Sequence, residues 1–219
     1  ARHCPVCRME DPWLSQMVEE RLAPTGHDRA TILADVARDG NALQFTPRAA
    51  RNDRDVVLAS VAEPGLAPRY ASVDLRNDRA VVRAAGARNG AALEHASVAL
   101  RSDRDVVLAA VARNGMVLSV ASVALQDDRD VVLIAVNEDG FALLYASANR
   151  QNDRGVVLAA VAQGGSALRY ASAALRNDRD VVFAAIAQNI VALRFASLSL
   201  LDDRDFVMAA VTQNAAALR

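Results

Sequence analysis

An all-α solenoid is the fold this chain predicts, and three observations carry the prediction. Asp28, Asp53, Asp78, Asp103, Asp128, Asp153, Asp178 and Asp203 stand 25 residues apart. Each is followed by an arginine: Arg29, Arg54, Arg79, Arg104, Arg129, Arg154, Arg179 and Arg204. Between these pairs recur an apolar run, a glycine and an Ala-Ser pair, in that order. Self-similarity at this period marks a supersecondary unit that cannot bury its apolar face alone and stacks on its neighbours. The expected architecture is a right- or left-handed α-solenoid of about eight 25-residue, two-helix repeats over residues 26–219, preceded by residues 1–25 with a capping helix.

The N-terminal segment comes first. Asp11-Pro12-Trp13-Leu14 reads as a helix start, because proline suits the first helical turn. Trp13, Leu14, Met17, Val18 and Leu22 then form an apolar stripe that can cap the first repeat. Ahead of it lies Cys4-Pro5-Val6-Cys7, beside His3. Two cysteines at this spacing are half of a tetrahedral zinc site. A thioredoxin-like strand and helix context is missing. Three readings stand: an incidental or simply disulfide-bonded pair, a zinc knuckle at Cys4 and Cys7 completed by a partner, and a thiol redox site.

Residues 51–75 serve as the model unit. Asn52, with Asn77, Ser102, Asp127, Asn152, Asn177 and Asp202, occupies a column of favoured N-cap types. Asp55, repeated as Asp105, Asp130, Asp180 and Asp205, sits where a carboxylate reaches back to the cap and suits the positive end of the helix dipole. The apolar run Val56 to Ala62 is greasy on almost every side, as befits a helix pressed by a partner and by neighbouring units. Gly65, with Gly40, Gly90, Gly115, Gly140 and Gly165, reads as a left-handed C-cap, a column broken by Ile190 and Ala215. A second short helix follows, with Leu118, Ala121, Ser122 and Leu125 on one face at helical spacing. The Ala-Ser pair marks the height at which helices cross most closely. Strict alternation is absent, so strands are disfavoured.

Units of the form NDRDVVLAAVxxNGxALxYASxxLR resemble the helical repeats of the family known as domain of unknown function 4116. The clearest copies are Asn52 to Leu75, Asn152 to Leu175 and Asn177 to Leu200. The resemblance implies a helical architecture and no particular reaction or ligand. From the family's distribution comes the further implication of an accessory subunit in an organellar, even photosynthetic, complex.

The invariant charges have two readings of equal standing, exposed arginines beside caps or a ladder running from Asp53–Arg54 through Asp203–Arg204, and a lesser third, a phosphate-binding arginine stripe, which the acid flanking each arginine disfavours. In the ladder each arginine bridges to a carboxylate or terminal carbonyl of the next unit through its planar fork. The aromatic column Phe45, Tyr70, Tyr145, Tyr170 and Phe195 reads as core with hydroxyls at the rim. The third unit breaks the pattern with Arg83, Gly86 and His95, and with Ala80 in the cap motif. Arg83 and Gly86, three apart, suggest a notch beside a cation, a candidate partner-binding site. A second candidate is the apolar C-terminal end, with Leu198, Leu201, Phe206 and Met208. Solenoid ends normally carry a polar capping unit, so more chain or another molecule is expected to cover this one.

Composition narrows the function. The 219 residues contain 53% apolar side chains, only 4% aromatics, and a net charge of −1. Balanced charge argues against bulk attraction to nucleic acid or anionic membrane. There is no lysine, which excludes a Schiff-base lysine and a Walker phosphate loop. No apolar run is long enough to cross a bilayer. His3, His27 and His95 are scattered, and no nucleophile, base and orienting group assemble. The reading is a non-enzymatic scaffold, soluble or peripheral, whose partners are other protein subunits, those of a membrane complex included. A nucleic-acid-binding solenoid, reading through the column Gln44, Arg69, Glu94, Ser119, Leu144, Arg169 and Arg194, is the alternative.

Overall fold

The computed structural model describes residues 28–62 and 67–217. Among them every regular element is helical and there is no strand. Each unit opens with a long α-helix just after its aspartate: Arg29–Arg38, Arg54–Ser60, Arg79–Gly86, Arg104–Val111, Arg129–Glu138, Arg154–Gln163, Arg179–Gln188 and Arg204–Ala217. The principal contacts join consecutive units: long helix packs on long helix, and the segments behind them pack likewise. The array is an α-solenoid.

The second half of the unit is not one helix. It is a 3₁₀-helix of six residues, as in Gly115–Val120 and Gly140–Tyr145, followed by a break and a short helical turn, as in Val123–Gln126 and Ala148–Gln151. In unit two the corresponding stretch is a short α-helical piece, Ala67–Tyr70. A 3₁₀-helix has three residues per turn, so positions i, i+3 and i+6 share a face. Gly115, Leu118 and Ala121 obey that period and are all buried, as are Gly140, Leu143 and Ala146. The 3₁₀ run begins behind a side-chain cap: Asn114 accepts from the Met116 amide at 3.0 Å, Asp139 from Phe141 at 2.8 Å.

The long helix starts one residue later than the Asn52 column suggests. The cap is the invariant aspartate: Asp103 Oδ1 accepts from the amides of Asp105 and Val106, both at 3.1 Å. Behind it Val106, Val107, Ala110 and Val111 are buried, and the same four columns are buried in units five, six and seven. β-Branched pairs are mediocre helix formers. Burial outweighs that, since each fully buried valine or leucine stabilises by roughly 1.5–3 kcal/mol.

Every unit contributes to the core. Its buried residues fall into two clusters, Ile32 to Ala92 and Val82 to Ala210, which interleave in unit three. There Gly86 replaces the valine of the column Val61, Val111, Val136 and Val161 and has no side chain to link its neighbours.

Candidate functional site

Three kinds of contact recur at the boundaries between the described units. The first is made by the invariant arginine. Arg79 Nε donates to Asp103 at 2.6 Å and its Nη2 to Asp105 at 2.6 Å. Arg29, Arg104 and Arg154 reach the same pair of columns: Asp53 and Asp55, Asp128 and Asp130, Asp178 and Asp180. Arg54 and Arg129 hold only the cap, Asp78 at 3.0 Å and Asp153 at 3.0 Å. Their second carboxylate is missing because Ala80 and Gly155 occupy that column. Arg179 Nη1 meets Asp203 at 2.7 Å. The acid at Asp55 or Asp105 therefore faces the preceding unit's arginine as well as serving its own helix start.

This geometry sets the electrostatics. Arg79 and the cap amides hold Asp103 below the usual carboxylate range, and Arg104 does the same to Asp128. Asp78 is lowered first by the Val81 amide and then by Arg54. Burial pushes Asp153 up, but the Val156 amide and Arg129 outweigh it and its value falls. Each aspartate thus caps its own helix while accepting an arginine from the unit before.

The second contact explains the glycine column. These residues are not left-handed caps: the residue ending the long helix is extended, as at Asp139 (φ −145°) and Asn189 (φ −159°). The glycines instead permit close approach. A Cβ on Gly90 would lie 2.5 Å from the Ala110 carbonyl oxygen of the next unit. Gly115, Gly140 and Gly165 meet the carbonyls of Ala135, Ala160 and Ala185 more closely still.

The third contact belongs to the Ala-Ser pair. Alanine is buried, and serine bonds across the boundary. Ser172 N–H donates to the Gln151 carbonyl at 2.9 Å, and its Oγ donates to Asn152 Oδ1 at 2.6 Å. Ser72, Ser97 and Ser197 treat Asn52, Asn77 and Asn177 alike, and Ser147 donates to Asp127. The Asn52 column therefore accepts from the next unit instead of capping a helix. Ser122 is the exception: its Oγ is buried without a partner, because Ser102 turns its hydroxyl to the Val98 carbonyl at 3.2 Å.

The proposed partner-binding residues scatter. Arg83 is exposed, but Gly86 is buried, and its Cβ position lies 3.3 Å from Ala110 Cβ. The next unit fills the supposed notch. His95 is half-buried and lines a groove of about 550 Å³ with Val73, Arg76 and Val98. At the C-terminal end Leu198 and Met208 are exposed, Leu201 is half-buried, and Phe206 is fully buried. Phe206 packs on Phe183 with ring centroids 4.7 Å apart, under the Arg179 guanidinium, so it is core and unavailable to a partner. The aromatic column lies at the rim: Tyr70, Tyr145, Tyr170 and Phe195 are half-buried and Phe45 is exposed. The column from Gln44 to Arg194 is exposed throughout. Cys4, Cys7, His3, the expected capping helix and Gly65 lie outside the described residues. Among the described residues no cluster of metal-ligating side chains forms, and no helix is long and apolar enough to cross a membrane.

Stacked units with repeated boundary contacts define a helical-repeat protein of the α-solenoid class. The family model for the Domain of unknown function (DUF4116) matches six times in tandem, at residues 53–101, 87–126, 103–151, 128–176, 153–201 and 178–219. The chain belongs to that family. No curated protein and no solved structure matches it.

Proposed function

We propose that the chain is a non-enzymatic scaffold that mediates protein–protein interaction as a structural or accessory subunit of a larger assembly. One observation carries this reading: the boundary contacts occupy the invariant columns, while the side of the stack presents exposed apolar side chains at the repeat period. Val73, Val98, Val123 and Leu198 share a single column and are 70–78% exposed, with exposed Ala148 and Ala173 between them and Arg48 in the first unit. A regular apolar row on a rigid array suits a protein partner. An organellar or photosynthetic assembly is the version suggested by the family's distribution.

The test is affinity isolation of the tagged chain from its native source, with chemical cross-linking and mass spectrometry. A stoichiometric protein partner cross-linked to the array is expected. Isolation of the chain alone, at native concentration and low salt, would count against the scaffold.

A second reading has one observation of its own. Arg169 lies 4.9 Å from the Tyr170 ring centroid and 5.9 Å from that of Phe195, and Arg194 lies 5.4 Å from the latter. Arginine interleaved with aromatics is a pattern single strands use. Salt-dependent filter binding of oligonucleotides separates the two readings.

A further inference from the structure

Two of the arginine columns contrast. Those of the ladder from Arg29 to Arg179 each face a carboxylate of the next unit. Among the described residues a second column, Arg51, Arg76, Arg101 and Arg176, forms no ion pair, and the Nε of each is buried without an acceptor. Two units fill this column with glutamine instead. Gln126 Nε2 donates to the carbonyls of Leu118 and Ala121 at 3.1 and 3.2 Å, and Gln151 Nε2 to those of Leu143 and Ala146 at 3.2 and 3.1 Å. Glutamine thus satisfies the end of the 3₁₀-helix, and arginine leaves a buried donor unpaired, which is unfavourable. A local rule broken repeatedly, with a better residue in use elsewhere in the same chain, points to a task for the guanidinium.

That task has a place. Arg51 and Arg76, with Arg48, line a groove of about 660 Å³ together with Tyr70, Val73 and Asp74. Arg48 forms no ion pair either, so three guanidinium groups face one carboxylate. Val73, Asp74 and Arg76 also line the next stretch of the groove, of about 550 Å³, which reaches His95 and Val98. The two stretches therefore adjoin along the short turns of consecutive units, as a channel in two parts that share the wall of Val73, Asp74 and Arg76. Its lining includes Arg48, Arg51 and Arg76, which form no ion pair among the described residues, and valines 70% and 73% exposed.

We propose that this channel binds an extended acidic polypeptide segment, its carboxylates on Arg48, Arg51 and Arg76 and its apolar side chains on Val73 and Val98. The proposal rests on the scaffold reading and names the chemistry of the partner. Charge complementarity selects an anionic chain. Valines select aliphatic side chains over bases, which stack on aromatic platforms. The periodicity selects an extended segment, because equivalent contacts return once per unit.

Fluorescence anisotropy on the full chain tests it. The probe is a short fluorescein-labelled peptide of alternating glutamate and leucine. Its counterparts carry lysine for glutamate or serine for leucine, and a labelled oligouridylate is the other polyanion. Saturable binding of the Glu-Leu peptide is expected, with none for the lysine version and weaker binding for the serine version. The triple variant R48Q/R51Q/R76Q should weaken binding by at least about tenfold, and V73S/V98S by several-fold, with circular dichroism unchanged. Glutamine is the chain's own alternative at the columns of Arg51 and Arg76, so that variant keeps its fold. No peptide binding, equal binding by the triple variant, or tighter binding of oligouridylate would each overturn the proposal. If a cross-linked protein partner is retained by the triple variant, the channel assignment falls and the scaffold stands. If neither chain retains a partner, the scaffold reading falls on its own.

Discussion

Gly164 and Gly165 are neighbours with opposite roles, and substituting each in turn tests how the units pack. A Cβ on Gly164 meets nothing within 4 Å, and its backbone is extended, at φ −172°. A Cβ on Gly165 would fall inside the van der Waals envelope of the Ala185 carbonyl oxygen, 3.1 Å from its carbon and 3.3 Å from Ala192 Cβ. The obstacle is backbone of the next unit's long helix, so no side-chain rotation relieves it. Gly165→Ala must therefore open the boundary between units six and seven. Overpacking of this kind costs about 1–3 kcal/mol, partly offset by about 0.4–1 kcal/mol from the stiffer unfolded chain. The net loss is up to about 2.6 kcal/mol, which for a chain of this length is a fall in Tm of up to roughly 10 °C. Gly164→Ala should instead raise stability by about 0.4–1 kcal/mol. Gly164→Asn should add a few tenths more, because Asn114 and Asp139 at the same column cap the 3₁₀-helix. Urea and thermal unfolding followed at 222 nm measure all three. Equal behaviour of Gly164→Ala and Gly165→Ala would refute close approach as the reason for the glycine column.

Four further outcomes follow from the boundary contacts. Asp128→Ala removes a helix cap and the Arg104 acceptor together, and is expected to cost about 1–2 kcal/mol in urea unfolding; Arg104→Met, at an exposed site, should cost less than half as much. Ser102→Asn gives the stranded Ser122 hydroxyl the acceptor its counterparts have, and should gain about 0.5–1.5 kcal/mol in the same assay. Gly155→Asp supplies Arg129 with its missing carboxylate and removes a helical glycine; a gain of about 0.5–1 kcal/mol is expected, since the obstructing atom is the mobile end of Arg129. Acid should unfold the array through the ladder: Asp53, Asp78, Asp103, Asp128 and Asp178 all titrate below their ordinary value in the folded state. Their stabilisation is complete above the unfolded carboxylate value of about 4 and is lost as pH falls through the lower folded values. Melting temperatures should stay level from neutral pH to about 5 and drop below about 4; a level profile down to pH 3 would contradict the ladder's contribution.

Much of this architecture is legible in one strand of text. The spacing of aspartates, the apolar runs and the punctuating glycines suffice for helical units in tandem. The cap itself was ambiguous, because Asn52 and Asp53 are both favoured cap residues and composition cannot rank neighbours. The second half of the unit is ambiguous for a related reason. Leu118, Ala121, Ser122 and Leu125 fit an α-helical face, yet Gly115, Leu118 and Ala121 recur at intervals of three, the signature of a 3₁₀-helix. That signal was present and could have been read. The burial of Gly86 and Phe206 could not, since both depend on what the adjoining unit places against them.

The sequence alone determined the period, the helical class and the family, because those reside in residue types a few positions apart. Only the tertiary structure decided which side chains meet across 20 to 26 residues: Ser172 with Asn152, Arg79 with Asp103 and Asp105. Those meetings depend on how far each unit advances and turns on the one before, a quantity set by packing of the stacked helices and written in no local pattern.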